Sequence, residues 1–278
     1  MESVRKFGHQ AMGALFEISF DGEDPDYVAG AAETVFARID TIETALSRHR
    51  DDSDLNRVNR TTPGDWVLVS PDLQQCLLRC FDLYRMTEGL FNPAFRTPGA
   101  LEALQVDDET PRVRPRRAID LDLGGIGKGF ALDECARLLR EDWDLTRVLL
   151  HGGGSTVLAM EAPADRDGWR VGAGAGRSLL LRNRAISASG TAVRGEHIID
   201  TRTGRPAAGT GRVWSLAPDG TQADGLSTAF FLMDPAGIRA FCLAHPEIGA
   251  QWMVEDRLER AGSWPADEVK PSITPVPP

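Results

Sequence analysis

Hydrophobic and polar positions in the first part of the chain follow two different periods. Residues 14–20 alternate between apolar and polar or small side chains, which predicts a strand with one buried face. After a polar turn over residues 21–25, apolar residues recur every three or four positions, which predicts a long amphipathic helix packed on a sheet or another helix. Its apolar face consists of Val28, Ala32, Val35, Ile39, Ile42 and Leu46.

A second amphipathic helix is predicted to begin at Ser70 and Pro71, because serine caps helices and proline is favoured at the first helical position. It would end near residues 87–89 and be followed by a turn over residues 90–93. Its buried face would be formed by Leu73, Cys76, Leu77, Cys80 and Tyr84. Residues 47–59, between the two helices, are too polar for a core, and we expect either a solvated loop or a ligand loop there.

The centre of the chain carries the segment around which the other motifs are arranged. Residues 119–123 alternate apolar and acidic side chains like a half-exposed strand, and a glycine turn containing Lys128 leads into a helix. Such a turn can approach an anion closely, because glycines remove side chains, first-turn N–H groups point outward and the ammonium adds charge. The spacings of the Walker A loop and of G-x-G-x-x-G are both absent, so tight strand-to-helix packing is the simpler alternative. The helix would bury Leu132, Cys135, Ala136 and Leu139.

The second half of the chain reads mainly as strands. A buried strand over residues 147–151 runs into Gly152, Gly153 and Gly154, which suggests backbone that approaches a ligand. Blocks of helices and strands favour an α+β fold over a parallel βαβ array. Further strands are predicted over residues 169–173, 179–187, 196–199 and 213–216, and helices over 224–233 and 235–244. The proline-rich residues 263–278 are predicted to be disordered.

Composition restricts the class of protein. At 278 residues, with 42% hydrophobic and 26% charged residues, the chain has the composition of a soluble globular protein of one large domain or two fused ones. A formal charge of −10 disfavours sequence-independent nucleic-acid binding but permits an anionic small ligand in a local basic pocket. No apolar run is long enough to span a bilayer and the N-terminus is unlike a signal peptide, so we expect a cytoplasmic protein without a membrane segment.

The four cysteines match no zinc or redox spacing. Cys76 and Cys80 are four residues apart on the predicted second helix, as expected of core residues. Together with Cys135 and Cys242 they are predicted to be structural thiols, and this usage suits a reducing compartment.

Two further groups of residues carry candidate chemistry. Asp224 and Thr228 are four apart, on one face of the first turn of a predicted helix, and two hard oxygens with open valences for phosphate and water suit Mg²⁺. The alternative for Asp224 is a helix cap. His197 and Asp200 are three apart on a strand that runs into a turn, and residues 187–190 are small enough to border a ring or phosphate.

Taken together, the motifs resemble the ApbE family of FAD:protein FMN transferases, in a short, divergent form without the usual lipoprotein leader. The motifs occur in the family's order across nearly the whole chain. They are Met12-Gly13, residues 52–59, 87–93 and 122–129, Gly153-Gly154, Ser189-Gly190, residues 197–200 with 202–204, and Ala223-Asp224 with Thr228.

The resemblance implies an α+β fold of the T-fold-like kind, with mostly antiparallel sheets packed against helices and an FAD site in a cleft between two lobes. Residues 1–262 would form one flavin transferase domain. The implied reaction transfers FMN from FAD to a Ser or Thr hydroxyl of an acceptor protein and releases AMP.

The resemblance also assigns roles to individual residues. Asp224 and Thr228 would bind Mg²⁺ together with the carbonyl of Gly125. Lys128 would lie beside the flavin or its phosphates, and His197 would be the base that takes the proton of the acceptor hydroxyl. Met12, Asn59, Asn92, Asp133, Gly153 and Ser189 would line the FAD site.

This sequence departs from the family pattern at several places. Asn92 stands where aspartate is usual, Ser155 where aspartate or asparagine commonly follows the glycine pair, and Thr201 where proline is usual. The links between residues 95 and 122 and between 190 and 197 are short, which implies a more open cleft. An FAD pyrophosphatase that gives FMN and AMP, or a non-catalytic FAD carrier, therefore remains an alternative to the transferase.

Overall fold

A computed structural model describes residues 4–174, 176–190, 199–200, 205–206, 211–254 and 257–265. The helices are α1 (Pro25–Leu46), α2 (Asp54–Arg60), α3 (Pro71–Met86), α4 (Gly127–Asp142), α5 (Gly220–Leu232) and α6 (Pro235–Ala244). The strands are β1 (Arg5–Ala11), β2 (Ala14–Phe20), β3 (Val67–Leu68), β4 (Leu104–Val106), β5 (Arg112–Pro115), β6 (Val148–Gly152), β7 (Thr156–Ala159), β8 (Trp169–Gly172), β9 (Ser178–Leu181), β10 (Arg184–Gly190), β11 (Ile199–Asp200), β12 (Arg205–Pro206), β13 (Arg212–Ala217), β14 (Gly249–Val254) and β15 (Arg257–Gly262).

The main sheet has eight strands in the order β1-β2-β6-β7-β10-β13-β14-β15. Each neighbouring pair in it is antiparallel. Smaller antiparallel sheets are formed by β3-β5-β4, β8-β9 and β11-β12. The arrangement confirms the α+β class with mostly antiparallel sheets that the sequence predicts.

Two hydrophobic clusters lie on opposite faces of the main sheet. The larger contains Phe16, Ile18 and Phe20 of β2 together with the buried faces of α1, α3, α4 and α5. The second lies under the β8-β9 hairpin and contains Trp169 of β8 and Trp214 of β13. Because alternate residues of a strand point to opposite faces, both clusters draw on the same central strands.

Most predicted elements are present with nearly the predicted bounds. Strand β2 and helices α1, α3, α4 and α6 are confirmed, and Ser70 caps α3 by accepting a hydrogen bond from the backbone N–H of Leu73. The four cysteines are buried and unpaired, as predicted for structural thiols. Strands β1, β14 and β15 were not predicted, and residues 179–187 form two strands that meet at Asn183, whose φ is 48°.

Three predictions are wrong in detail. The polar stretch 47–59 is not entirely loop, because buried Leu55 and Val58 anchor helix α2 and Ser53 caps it. Residues 119–123 alternate in burial as predicted but pair with no strand among the described residues. Helix α5 begins after its cap Asp219, so Asp224 lies in the second turn of the helix and not in its first.

No helix in the described part of the chain is long and apolar enough to cross a membrane.

Candidate active site

Lys128 and Asp224, predicted to belong to one site, lie together where α4 crosses α5. The Lys128 Nζ is 3.6 Å from Asp224 Oδ2, and the two side chains are only 13% and 6% exposed. The crossing is close because residue 129 is glycine: a Cβ there would overlap the Gly220 carbonyl and stand 2.8 Å from the Cβ of Asp224. Glycine at this position therefore allows the two helices to bring the cation and the carboxylate together.

The Asp224 carboxylate is held by donors from three elements. Its Oδ2 accepts a hydrogen bond from the Gly129 N–H of α4 at 3.0 Å. Its Oδ1 accepts from the hydroxyls of Thr156 on β7 at 3.0 Å and Ser187 on β10 at 3.2 Å. A buried carboxylate with this many donors is held in one orientation.

Thr228 and Gly125 lie against each other beside this carboxylate. Thr228 is one helical turn after Asp224, so both side chains lie on one face of α5. A Cβ on Gly125 would stand 3.1 Å from the Thr228 hydroxyl. Within the part of the chain that the structure describes, no hydrogen bond is made by the Thr228 hydroxyl.

This donor set fits a hard divalent cation. Carboxylate, hydroxyl and carbonyl oxygens are the ligands that Mg²⁺ takes, and Mg²⁺ keeps several positions for water and phosphate. Asp224 and Thr228 place a carboxylate and a hydroxyl on one face of α5, and Gly125, which carries a backbone carbonyl, lies against the Thr228 side chain. Among the described residues no group of three His, Cys, Asp or Glu side chains is close enough to hold a metal, so an all-side-chain cage is absent there.

The stem of Lys128 lies over Gly152, the last residue of β6, and over Gly153. A Cβ on Gly153 would stand 3.2 Å from Lys128 Cδ and 2.8 Å from the Cβ of Ala14. Gly153 also has a φ of +64°, which favours glycine. Met12 and Gly13 form the two-residue turn between β1 and β2, which Ala14 follows, and Met12 has a φ of 51°. The Met12 turn and the Gly153 turn therefore lie at the Lys128 end of the main sheet.

Asn59 contacts the backbone leading to the glycine turn, whereas Asn92 contacts its own turn. The Asn59 side chain accepts from the Leu121 N–H at 2.8 Å and donates to the Leu121 carbonyl at 3.1 Å, as a neighbouring strand would. The Asn92 Oδ1 accepts from the Ala94 N–H at 2.8 Å. Asn92 also lines a surface cavity of about 390 Å³ with Tyr84, Glu88, Gly89, Leu90, Pro98 and Gly99. Asn59 thus holds the segment that leads to Gly125, and Asn92 holds the turn that precedes Ala94.

Asp133 points away from Lys128, to the start of α5. It accepts hydrogen bonds from the backbone N–H groups of Gly220 at 2.7 Å and Thr221 at 2.8 Å, and from the Thr221 hydroxyl. Burial, followed by the nearby Asp219, raises the pKa of Asp133 to about 6 although these hydrogen bonds lower it. Through these hydrogen bonds the Asp133 carboxylate links the start of α5 to α4.

Ser189 lies at the end of β10 and is joined to α5 through Ser227, with 2.8 Å between the two Oγ atoms. Segment 191–198, with the predicted base His197, lies outside the described residues.

Sequence reasoning did not assign Thr156 to the site and treated Ser187 only as a small residue. The available signal was a hydroxyl in each of two buried strands. Because strand pairing is not given by the sequence, that signal did not connect either residue with Asp224.

Helix α4 begins without any side-chain hydrogen bond at its N-cap, Ile126. The Gly127 N–H donates to the Leu123 carbonyl and the Gly129 N–H to Asp224, so the Lys128 ammonium and the helix dipole remain as positive charge next to the candidate cation site. Such an arrangement can bind a diphosphate through a lysine, a helix N-terminus and a divalent cation.

Comparisons with known proteins point to one family. The model of the ApbE family matches residues 12–101 and 94–252 of this chain. The FAD:protein FMN transferase of Treponema pallidum is 28% identical over 297 residues, which cover 87% of this chain and 82% of that protein. The FAD:protein FMN transferase of Klebsiella pneumoniae is 25% identical over 280 residues, covering 81% and 77%.

Solved structures show the same fold. The apo flavinyl transferase ApbE of Pseudomonas stutzeri superposes with a TM-score of 0.78 at 21% identity, covering 94% of each chain. The flavin transferase ApbE of Vibrio cholerae gives a TM-score of 0.79 at 20% identity, covering 94% of this chain and 98% of that one.

Proposed function

The chain belongs to the ApbE family and is a transferase, and from that premise we propose that it transfers FMN from FAD to a Ser or Thr hydroxyl of an acceptor protein in a Mg²⁺-dependent reaction that releases AMP. The observation that carries this proposal is the convergence of Lys128, Asp224, Thr228 and Gly125 at the start of α4. A pyrophosphate needs this combination of positive charge and oxygen ligands, because its own charge must be neutralised before a nucleophile can attack.

Asp224, Thr228 and the Gly125 carbonyl would hold the Mg²⁺ ion. Bound there, the ion would supply charge neutralisation at the pyrophosphate and stabilise the leaving phosphate. The Lys128 ammonium would donate hydrogen bonds to phosphate oxygens, and the N-terminus of α4 would add the helix dipole.

The acceptor hydroxyl oxygen forms the new bond to the phosphorus on the flavin side of FAD. The bond from that phosphorus to the bridging oxygen breaks, and AMP leaves with the bridging oxygen. His197 takes the proton of the attacking hydroxyl, because its unperturbed pKa is close to neutral pH.

The remaining candidate residues act in two ways in this proposal. Met12, Gly153 and Ser189 line the FAD site directly. Asn59, Asn92 and Asp133 act through the backbone that they hold, since the first two fasten the segments beside Gly125 and the third fastens α5 to α4.

The test incubates the purified protein with FAD, MgCl₂ and a candidate acceptor protein encoded beside its gene. We expect flavin fluorescence that stays with the acceptor in a denaturing gel, one AMP per flavin attached, and loss of both on chelation of the metal. FMN and AMP formed equally fast without acceptor would identify a pyrophosphatase. Tight FAD binding with neither product would identify a carrier.

A further inference from the structure

The hydrogen bonds of Asp224 are distributed unequally between its two oxygens. Oδ1 receives two hydroxyls, from Thr156 and Ser187, whereas Oδ2 receives one backbone N–H, from Gly129. An ionised carboxylate has about four acceptor sites, two on each oxygen. Three are therefore filled by the protein, and the fourth belongs to Oδ2, on which Lys128 Nζ approaches at 3.6 Å.

The two hydroxyls are placed by the sheet. Thr156 and Ser187 face each other in the β7-β10 register, and both are fully buried. Their oxygens are 3.0 Å apart, so each can direct its single proton to the carboxylate while the pair stays in contact. The Ser187 oxygen can in turn accept from Ser227 at 3.4 Å. Neither side chain reaches the surface, so neither can touch FAD or an acceptor.

We propose that Thr156 and Ser187 are positioning residues that fill both acceptor sites of Asp224 Oδ1 and so present Oδ2 to the divalent cation. This inference rests on the proposed function, because it takes Asp224 as a metal ligand. Outer groups that hydrogen-bond to a ligating carboxylate fix its orientation, and their loss typically lowers metal affinity by roughly 10- to 100-fold.

The test measures binding of Mn²⁺ to the intact protein through the loss of the electron paramagnetic resonance signal of free Mn²⁺. MnCl₂ is added with FAD present and no acceptor, and FAD without protein is the blank. Thr156→Val keeps the shape of the side chain but lacks the hydroxyl, and we expect roughly 10- to 100-fold weaker Mn²⁺ binding. Thr156→Ser keeps the hydroxyl but loses a methyl group, and we expect nearly wild-type affinity. A packing role would give the reverse order, with Thr156→Ser the more damaged protein, and would overturn the proposal.

Ser187→Ala and Ser215→Ala form the matched control pair. Ser215 faces Ser187 across the β10-β13 register and is equally buried, but its hydroxyl donates to the Ala223 carbonyl at 2.5 Å and not to a carboxylate. We expect Ser187→Ala to weaken Mn²⁺ binding about tenfold and Ser215→Ala to leave it unchanged. Equal effects of the two substitutions would contradict a role through Asp224.

Asp224→Asn separates this inference from the proposed function. If wild-type protein binds Mn²⁺ and Asp224→Asn does not, the metal site stands, and unchanged affinity in Thr156→Val then overturns only the positioning role. If Asp224→Asn binds Mn²⁺ as wild type does, or if wild type binds none, the proposed metal site fails and the positioning role fails with it.

Discussion

The crossing of α4 and α5 contains two aspartates whose surroundings differ. Asp133 reaches from α4 to the first N–H groups of α5, and Asp224 reaches from α5 to the Gly129 N–H in the first turn of α4. Each carboxylate thus links its own helix to the beginning of the other. Asp224 is buried and Asp133 partly buried, and both accept hydrogen bonds across the crossing, so residue type and hydrogen bonding alone do not distinguish a structural aspartate from a candidate ligand.

The difference lies in the groups that surround each carboxylate. The donors to Asp133 come from the start of α5, and the nearby Asp219 is another acid. Asp224 instead has Lys128 close to an oxygen with an acceptor site left, beside Thr228 and Gly125. Both carboxylates accept three hydrogen bonds from the protein, so Asp224 is distinguished by the ammonium, the hydroxyl and the glycine turn beside it and not by the number of its donors.

Asp224→Asn gives the largest expected effect. It removes the charge that would bind the cation, so we expect FMN transfer to fall by more than the roughly 10- to 100-fold that loss of an outer partner typically costs. Flavin attached to the acceptor per minute measures it, with circular dichroism to check folding. Asp133→Asn is the control, and it should keep transfer per folded molecule. Equal losses in the two variants would remove the distinction between the aspartates.

Lys128→Met tests the cation beside Asp224. Without the ammonium at 3.6 Å from Asp224 Oδ2, we expect transfer to fall on the order of 100-fold, as for loss of one charge-stabilising donor. The measurement is kcat for FMN transfer at saturating FAD and metal. Lys6→Met, which removes a lysine paired with Glu17 on the surface, should leave kcat unchanged. A wild-type kcat in Lys128→Met would exclude Lys128 from the reaction.

Gly129→Ala tests the closeness of the crossing on which both aspartates depend. The new Cβ would overlap the Gly220 carbonyl, so we expect the free energy of unfolding to fall by about 1–3 kcal/mol. Urea unfolding measures the change. Gly127→Ala is the matched control in the same turn, because a Cβ there meets no atom within 4 Å. Gly127→Ala should be neutral or stabilising by about 0.5 kcal/mol, and equal destabilisation of both would contradict the close-approach argument.

The last prediction concerns how the free energy of unfolding depends on pH through Asp133. Burial raises its pKa from 3.8 to about 6, so the folded protein holds this proton more tightly than the unfolded chain. The resulting stabilisation is complete below pH 3.8 and is lost as the pH rises through about 6. About two pKa units correspond to roughly 3 kcal/mol.

Asp133→Asn removes this titration and keeps the other carboxylates. The free energy of unfolding of wild type minus that of the variant should therefore decrease between about pH 4 and pH 7, measured by urea unfolding at each pH. A difference that stays constant, or rises with pH, would show that the pKa of Asp133 is not raised.

Much of the fold follows from local patterns. The periodicity of α1 and α3 and the caps Ser70 and Pro71 are readable because they depend on neighbouring residues alone. Helix α2 was missed because only Leu55 and Val58 are apolar in it, and residues 119–123 read as a strand although their partners are the side chain of Asn59 and the carbonyl of Pro93. Those partners are remote in sequence, so no local pattern reports them.

The sequence alone determined the helices and strands with strong periodicity, the α+β class and the motifs shared with one family, because each depends on residues that are close along the chain. Only the tertiary structure decided that Asp224 faces Lys128 while Asp133 faces a helix end, and that hydroxyls from two strands meet one carboxylate. The physical reason is that these contacts depend on strand register and on how closely two helices cross. Both are set by packing over the whole molecule.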